Sequence, residues 1–328
     1  MSRTVLVMDE LPFNDSQWSQ LYGAFEPDSI VRLNSMDQSG ITIVLESAEI
    51  AILAGDLDER HIHAPKLKWV HCDHAGLTKS ARPEVFKKGM IVTGSAGRNA
   101  PALAEHAMMF ALMLTSRYSD FYEAQKRHEW RRENSMLSPG GLYGKTMGII
   151  GMGHTGKELA ARAKAFNMRV LSYRRRNDPT LPNVDQIYSF QKGEGLDSLL
   201  SDSDVVVLAI SLSDATRHLI KSRELALMKS SSVLINMSRG EIIDQPALIH
   251  ALKSGIIAGA ALDVTTPEPL PHDHELWETP DLLITPHFTP AFAEKSSRSL
   301  ALILENITRF RKGEAMLNCL NEHDVYSH

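Results

Sequence analysis

Hydrophobic residues in the first hundred positions fall in short runs, VLVMD (5–9), IAILA (50–54), LKWVH (67–71) and MIVTG (90–94), each closing in polar or glycine-containing sequence. Runs of this length, bounded in this way, predict strands. Trp18, Leu21, Tyr22 and Phe25 recur at helical spacing, behind a cap expected at Asp15 or Ser16. From about Pro101 the pattern changes to PALAEHAMMFALMLTSR, a helix apolar nearly all round, which predicts burial between two layers. Residues 118–140 are polar and mixed, with Trp130 in KRHEWRREN. Such an arm either packs its aromatic anchor on another subunit or tucks it against its own domain.

After Lys145 the strands come in succession: TMGIIG (146–151), RVLSY (169–173), DVVVLAI (204–210), SVLIN (232–236), GAALDV (259–264) and LLIT (282–285). Several are apolar without alternation, the pattern of strands covered on both faces. Helical stretches separate them, KELAARAKAF (157–166) and PALIHALKSG (246–255) among them, and one amphipathic helix over 293–313 closes the chain. Strand alternating with helix predicts an α/β fold with doubly wound parallel sheets.

At 328 residues there is room for two domains with large cores. A formal net charge of −5 gives no basic footprint for nucleic acid. Cys72 and Cys319 are too few for a disulfide framework and point to a reducing compartment. The apolar run in MSRTVLVMDELP is too short for a secretory signal, and no stretch approaches the roughly 20 apolar residues of a membrane span. The expectation is a cytoplasmic protein without a nucleic-acid or membrane partner.

The first chemical signal is GMGHTG (151–156), entered from a predicted strand and left through a predicted helix. Gly151 permits the tight turn, Gly153 lets backbone approach a pyrophosphate, and Gly156 lets helix and strand pack closely. With His154 and Thr155 at the helix start, these residues form the candidate dinucleotide site. At the end of the next strand such a site usually carries an acid for the adenosine ribose. Here stand Arg174, Arg175 and Arg176. Guanidinium groups favour a 2′-phosphate where an acid would repel it, so the expected cofactor is NADP(H), with NAD(H) as the weaker alternative. The bland alternative is a solvated basic turn.

Further reactive side chains follow strand ends: Arg239 in INMSRG, Asp263 and Glu268 in ALDVTTPEPLP, and His287 in LLITPHFTP. An arginine can hold a carboxylate and polarise an adjacent ketone. A histidine can protonate the carbonyl oxygen as hydride arrives, and a carboxylate can keep that imidazole charged and oriented. Singly, each residue reads as a surface charge, a loop solubiliser or a capping histidine. PHDHE (271–275) and HIH (61–63) look metal-like, but both lie in polar loop sequence without a recognised ligand spacing, so no metal is expected.

Taken in order, GRNAPALAEH (97–106), GKTMGIIGMGHTG (144–156), SDVVVLAISLSDATRHLI (203–220), INMSRGEIID (235–244), ALDVTTPEPLP and TPH resemble the D-isomer-specific 2-hydroxyacid dehydrogenase family. The resemblance implies that Arg239 binds the substrate carboxylate and carbonyl, that His287 is the acid/base and Glu268 its partner, and that Asp263 lies by the nicotinamide carboxamide. SYRRR and DVTTPEPLP are similar to the NADP-preferring glyoxylate/hydroxypyruvate reductases, which implies reduction of a small 2-keto acid to the D-2-hydroxy acid. A phosphoglycerate-type dehydrogenase and a cofactor-sensing corepressor-like binding protein are the alternatives.

The family also implies two Rossmann-like domains: a flavodoxin-like substrate domain of 1–101 with 290–328, and an inserted dinucleotide-binding domain of 102–289. It implies a hinged cleft that excludes water and a homodimer joined through the cofactor domains and the 118–140 arm. Two departures stand out. In HCDHAGLTKS (71–80), Ala75 and Gly76 remain from the turn that holds the substrate carboxylate, but the usual aspartate position is not kept, and Asp73 and His74 are unusual polar neighbours. After His287 the chain runs Phe288-Thr289-Pro290 rather than through a glycine, which implies a reshaped pocket.

Overall fold

The computed structural model describes residues 2–130, 140–176, 180–288 and 292–327. The first unit comprises Met1–Asn99, Ser213–Ala215 and Ala291–His328, and the second Ala100–Leu212 and Thr216–Pro290. The chain begins with β1 (Thr4–Met8), α1 (Asp15–Phe25), β2 (Ser29–Leu33), α2 (Gln38–Leu45), β3 (Ala48–Leu53), α3 (Glu59–His63), β4 (Trp69–Cys72), α4 (Pro83–Lys87) and β5 (Ile91–Gly94). The second unit carries α5 (Ala100–Thr115), α6 (Tyr118–Lys126), β6 (Thr146–Ile150), α7 (His154–Ala165), β7 (Arg169–Arg174), β8 (Gln186–Ser189) and α8 (Asp197–Asp202). It continues through β9 (Val205–Leu208), α9 (Ser222–Leu227), β10 (Val233–Asn236), α10 (Gln245–Lys253), β11 (Gly259–Leu262) and β12 (Leu282–Ile284). Helix α11 (Lys295–Lys312) returns to the first unit.

Both sheets are parallel, as the strand–helix alternation predicts. The first has the order β2-β1-β3-β4-β5, the flavodoxin-like arrangement, and the second β12-β11-β10-β9-β6-β7-β8. In the second, the chain runs outward from β6 through β7 to β8, then returns to β9 on the other side of β6. That reversal opens a crevice at the strand C-termini between β6 and β9, where doubly wound sheets bind ligands.

Apolar residues on both sides of β1 explain why its sequence does not alternate. Val5 and Val7 pack with Trp18, Leu21, Phe25, Ile303 and Ile307 of α1 and α11, whereas Leu6 and Met8 pack with Ile41 and Leu45 of α2. Each such side chain withdrawn from water contributes roughly 1.5–3 kcal/mol. Helix α1 is capped by Asn14, not by Asp15 or Ser16. The Asn14 side chain accepts from the Gln17 amide at 2.9 Å while the Gln17 side chain accepts from the Asn14 amide at 3.0 Å, a reciprocal box that fixes the start.

Helix α5 departs from the expected burial. Ala104, Ala107, Phe110 and Ala111 are buried in the core of the second unit, but Met109 is 41% exposed and Leu112 and Met113 are half-buried. Its all-round apolarity therefore leaves an uncovered outer stripe. No described helix is long and apolar enough to cross a membrane.

Beneath β4 and β5 lies a buried polar chain whose proton directions are fixed by elimination. The Asp73 carboxylate can only accept, so Ser95 Oγ donates to it at 2.5 Å and accepts from His71 Nε2 at 3.1 Å. His71 Nδ1 then accepts from Thr93 Oγ1 at 3.0 Å, and Thr93 accepts from Trp69 Nε1 at 2.9 Å. Arg98 closes the chain on Asp73 at 2.7 Å. Burial would raise Asp73, but its contacts with His71, Arg98 and Ser95 outweigh that and hold the carboxyl below its usual range. Burial pushes His71 down, against the pull of Asp73.

A histidine depressed in the folded state binds its proton more readily when unfolded. Its contribution is therefore complete above about pH 6.5, the unfolded value, and is lost as pH falls through the window below it. Thermal stability should fall between about pH 7 and pH 5. His71→Gln, which cannot be protonated, should flatten that slope without abolishing it, because burial also depresses His61 and His106. A slope unchanged in the variant, followed by calorimetry, would contradict the neutral assignment of His71.

Candidate active site

The glycine turn stands at the reversal point of the second sheet. Gly151 follows β6 with φ +104°, and a Cβ there would collide with the Ala209 carbonyl beyond β9. A Cβ on Gly156 would strike the Gly151 carbonyl. The fold itself thus requires these two glycines. Gly153 is different: an added Cβ meets nothing within 4 Å. Gly153 is the N-cap of α7, and the space beside it among the described residues is open, as a pyrophosphate laid against the start of that helix would need. The first-turn amides of a helix lack intrahelical acceptors, and His154 and Thr155 supply that turn here. The residues present therefore fit a dinucleotide.

Strand β7 sits beside this turn, with the Gly151 amide donating to the Tyr173 carbonyl at 2.9 Å. Arg174, the last residue of β7, is half-buried opposite Ser189 of β8, and Arg175 and Arg176 are exposed immediately beyond it. Gln191 donates its amide to the Arg175 carbonyl at 3.2 Å, which pins the strand end. Three guanidinium groups thus leave the sheet where the ribose-binding acid usually stands. Asn177 and Asp178, the end of the SYRRRND stretch, lie outside the described residues.

Arg239, Asp263, Glu268 and His287 all follow strand C-termini of the same sheet, after β10, β11 and β12. The turn after β10 is built by its own side chains. Asn236 donates to the Arg239 carbonyl at 2.9 Å and accepts from the Ser238 amide at 3.0 Å, while Ser238 Oγ donates to the Leu208 carbonyl at 2.9 Å. Arg239 is half-buried and its guanidinium donates to the Ser238 carbonyl at 2.7 Å. A Cβ on Gly240 would collide with Thr265, so this glycine lets the Glu268 loop close onto the arginine turn.

Glu268 Oε1 accepts from the Thr265 amide at 3.0 Å, and Oε2 lies 2.8 Å from His287 Nδ1. A carboxylate cannot donate, so Nδ1 carries the proton and Nε2 is the ring atom left to exchange one. His287 has φ +52°, a left-handed conformation unusual for a non-glycine residue. Asp263, only 2% exposed, directs its carbonyl to the His287 amide at 2.8 Å and its Oδ1 to the Phe288 amide at 2.9 Å. The arrangement combines a dinucleotide-type turn, a fixed arginine and an oriented imidazole on one sheet edge. Phe288 is exposed, and Thr289 and Pro290 lie outside the described residues.

In the first unit, Ala75 and Gly76 form an exposed turn after β4, with Gly76 at φ +76°. Asp73 does not join them as a polar neighbour, because its side chain turns inward to Ser95 and Arg98. His74 is half-buried, with Nε2 3.5 Å from Asp56. His74 stays beside the turn, its Nδ1 3.2 Å from the Ala75 carbonyl, whereas Asp73 leaves it. Cys72, with its thiol pushed up to about 12 chiefly by burial, is no nucleophile.

His61, His63 and His274 of the metal-like stretches have local partners. His61 is buried with Nδ1 2.7 Å from Asp58 in the cap of α3, and His274 accepts from the Leu276 amide at 3.2 Å. Sequence reading missed Thr265, Asn236, Ser238 and Gly240, which hold Glu268 and Arg239 in place. The signal was available in INMSRG and DVTTPE, where small polar residues crowd the reactive ones.

A family model described as D-isomer specific 2-hydroxyacid dehydrogenase, NAD binding domain, matches residues 108–289. The glyoxylate reductase of Korarchaeum cryptofilum (strain OPF8) is 34% identical over 288 residues, which cover 85% of this chain and 83% of that one. The glyoxylate reductase of Pyrococcus horikoshii is 37% identical over 271 residues, 80% of this chain and 79% of that one. A D-isomer specific 2-hydroxyacid dehydrogenase from Xanthobacter autotrophicus Py2, solved with NADPH and MES, shares the structure with a TM-score of 0.81 at 25% identity, covering 98% and 99% of the two chains. With a family model over more than half its length and relatives of this identity, the chain belongs to the D-isomer specific 2-hydroxyacid dehydrogenase family, and its second unit is a nicotinamide-dinucleotide-binding domain.

Proposed function

We propose that the protein reduces a small 2-keto acid of the glyoxylate or hydroxypyruvate type to the D-2-hydroxy acid, using NADPH, in the cytoplasm. The observation that carries this reading is the 2.8 Å pairing of His287 with Glu268 on the sheet edge that bears the glycine turn. NADPH, when bound, supplies the hydride. Arg239 takes the substrate carboxylate and draws electron density toward the ketone oxygen, with its guanidinium steadied by the Ser238 carbonyl. His287 gives the proton on Nε2 to that oxygen as the carbonyl carbon is reduced, and Glu268 stabilises the imidazolium beforehand. The alcohol leaves with both hydrogens accounted for, one as hydride and one as proton. Arg174, with Arg175 and Arg176 beyond it, favours a 2′-phosphate. The relatives named glyoxylate reductase and the NADPH-bound Xanthobacter protein agree with this choice.

The same reading includes a homodimer. Met109, Leu112 and Met113 of α5 and Phe166 after α7 line an open apolar groove of about 470 Å³. Tyr118, Phe121 and Tyr122 of α6 are exposed, and Trp130 is 89% exposed, so this aromatic is not tucked against its own domain. Residues 131–139 of the arm lie outside the described residues. Exposed apolar surface of this extent on one unit fits association with a second copy.

Three outcomes test the proposal. His287→Ala should lower kcat by about 10²- to 10⁴-fold while NADPH still binds, and near-normal turnover would remove His287 from the proton step. Replacing Arg174 and Arg175 together by serine should raise the KM for NADPH about 10- to 100-fold and that for NADH far less, with equal effects speaking against 2′-phosphate recognition. Met109→Glu with Leu112→Lys should convert a dimer to monomer in light scattering, and an unchanged mass would place any interface elsewhere.

A further inference from the structure

Asp263 does more in this chain than lie near a ligand. Its Oδ1 accepts two bonds, from the Phe288 amide at 2.9 Å and from Thr285 Oγ1 at 2.5 Å, while its carbonyl accepts the His287 amide. The three bonds bracket residue 287. Thr285 has spent its only hydroxyl proton on the carboxylate, so at 3.3 Å from His106 Nε2 it must accept. His106 is therefore the Nε2–H tautomer. It sits on α5, 6% exposed, with its ring centred 4.6 Å from that of Phe110. Its Nδ1 is buried with no hydrogen-bond partner among the described residues. A second proton there would find no acceptor, and burial already holds His106 below its usual range.

We propose that Thr285 and His106 are positioning residues for the proton donor, through a buried chain from His106 Nε2–H to Thr285 Oγ1–H to Asp263 Oδ1. The chain fixes the rotation of the Asp263 carboxylate, and that carboxylate holds the 285–288 turn with His287 in its left-handed conformation. Both side-chain contacts fall on Oδ1, which leaves Oδ2 outside the clamp. One carboxylate can thus hold the turn through one oxygen and meet a ligand donor through the other. Neither Thr285 nor His106 touches the reacting atoms, so their effect passes through Asp263. The kinetic part of this inference rests on the proton-donor role proposed for His287, whereas the structural part does not.

The test compares Thr285→Val with Thr285→Ser, and His106→Leu with His106→Gln, in the full-length protein. Three quantities are measured: hydrogen exchange at the His287 and Phe288 amides, NADPH affinity by fluorescence titration, and kcat with glyoxylate. Thr285→Val and His106→Leu should speed exchange at both amides about tenfold or more and lower kcat about tenfold, with NADPH affinity changed less than about twofold. Thr285→Ser and His106→Gln, which keep the hydroxyl and the N–H donor, should stay near the parent protein. Unchanged exchange in Thr285→Val would overturn the proposal, as would kcat and NADPH affinity falling together with exchange unaltered. Faster exchange in a protein that turns over no 2-keto acid would uphold the clamp and reject the enzymatic reading. Should Thr285→Val not fold, the His106 pair decides by the same exchange criterion.

Discussion

The arrangement of Glu268 and His287 in the second unit depends on holding one residue in a conformation it would otherwise leave. His287 lies in the left-handed region, where an L side chain is disfavoured by about 1–2 kcal/mol, and relaxing it would swing the imidazole away from Glu268. Two elements oppose this. Asp263, at the end of β11, receives the amides of residues 287 and 288, and Glu268 receives the ring nitrogen at 2.8 Å. Glu268 is itself tied to the Thr265 amide, in a loop that reaches the arginine turn only because position 240 lacks a side chain. Arginine, carboxylate and imidazole are thus placed by backbone geometry that the parallel sheet sets at its C-terminal edge.

The glycine turn follows the same logic with glycine in place of strain. Gly151 and Gly156 are demanded by close backbone approach within the protein, whereas Gly153, the N-cap of α7, faces open space. The arginines emerge one strand away, where the ladder from β6 to β7 brings the Tyr173 carbonyl onto the Gly151 amide. Selectivity for a 2′-phosphate, as proposed, would therefore reside in side chains hung on a strand end whose position is fixed by the glycine turn.

Much of this was legible in the sequence because parallel strands covered on both faces read as uninterrupted apolar runs. The two strands that escaped notice, SIVRL (29–33) and QIYS (186–189), are edge strands whose apolar residues are interrupted by polar ones. Their identity comes from a neighbour rather than from their own pattern. The cap of α1 was misplaced by one or two residues because Asn14 wins through its partnership with Gln17, which a residue-by-residue reading does not weigh. The reactive side chains stood out by type and position. The distant supports did not, since Thr285 and His106 become informative only when folding brings together residues as far apart as 106 and 285. Asp73 shows the converse: conspicuous in sequence, it is consumed by a buried ion pair with Arg98.

The central claim is that this edge carries out NADPH-dependent reduction of a small 2-keto acid. It is tested most directly by initial rates for NADPH and NADH against glyoxylate, hydroxypyruvate, pyruvate, phenylpyruvate and longer 2-keto acids. The account predicts the highest kcat/KM for glyoxylate or hydroxypyruvate with NADPH, at least about tenfold above the same substrate with NADH. Preference for NADH throughout, or no turnover by a protein that still binds NADPH, would contradict it.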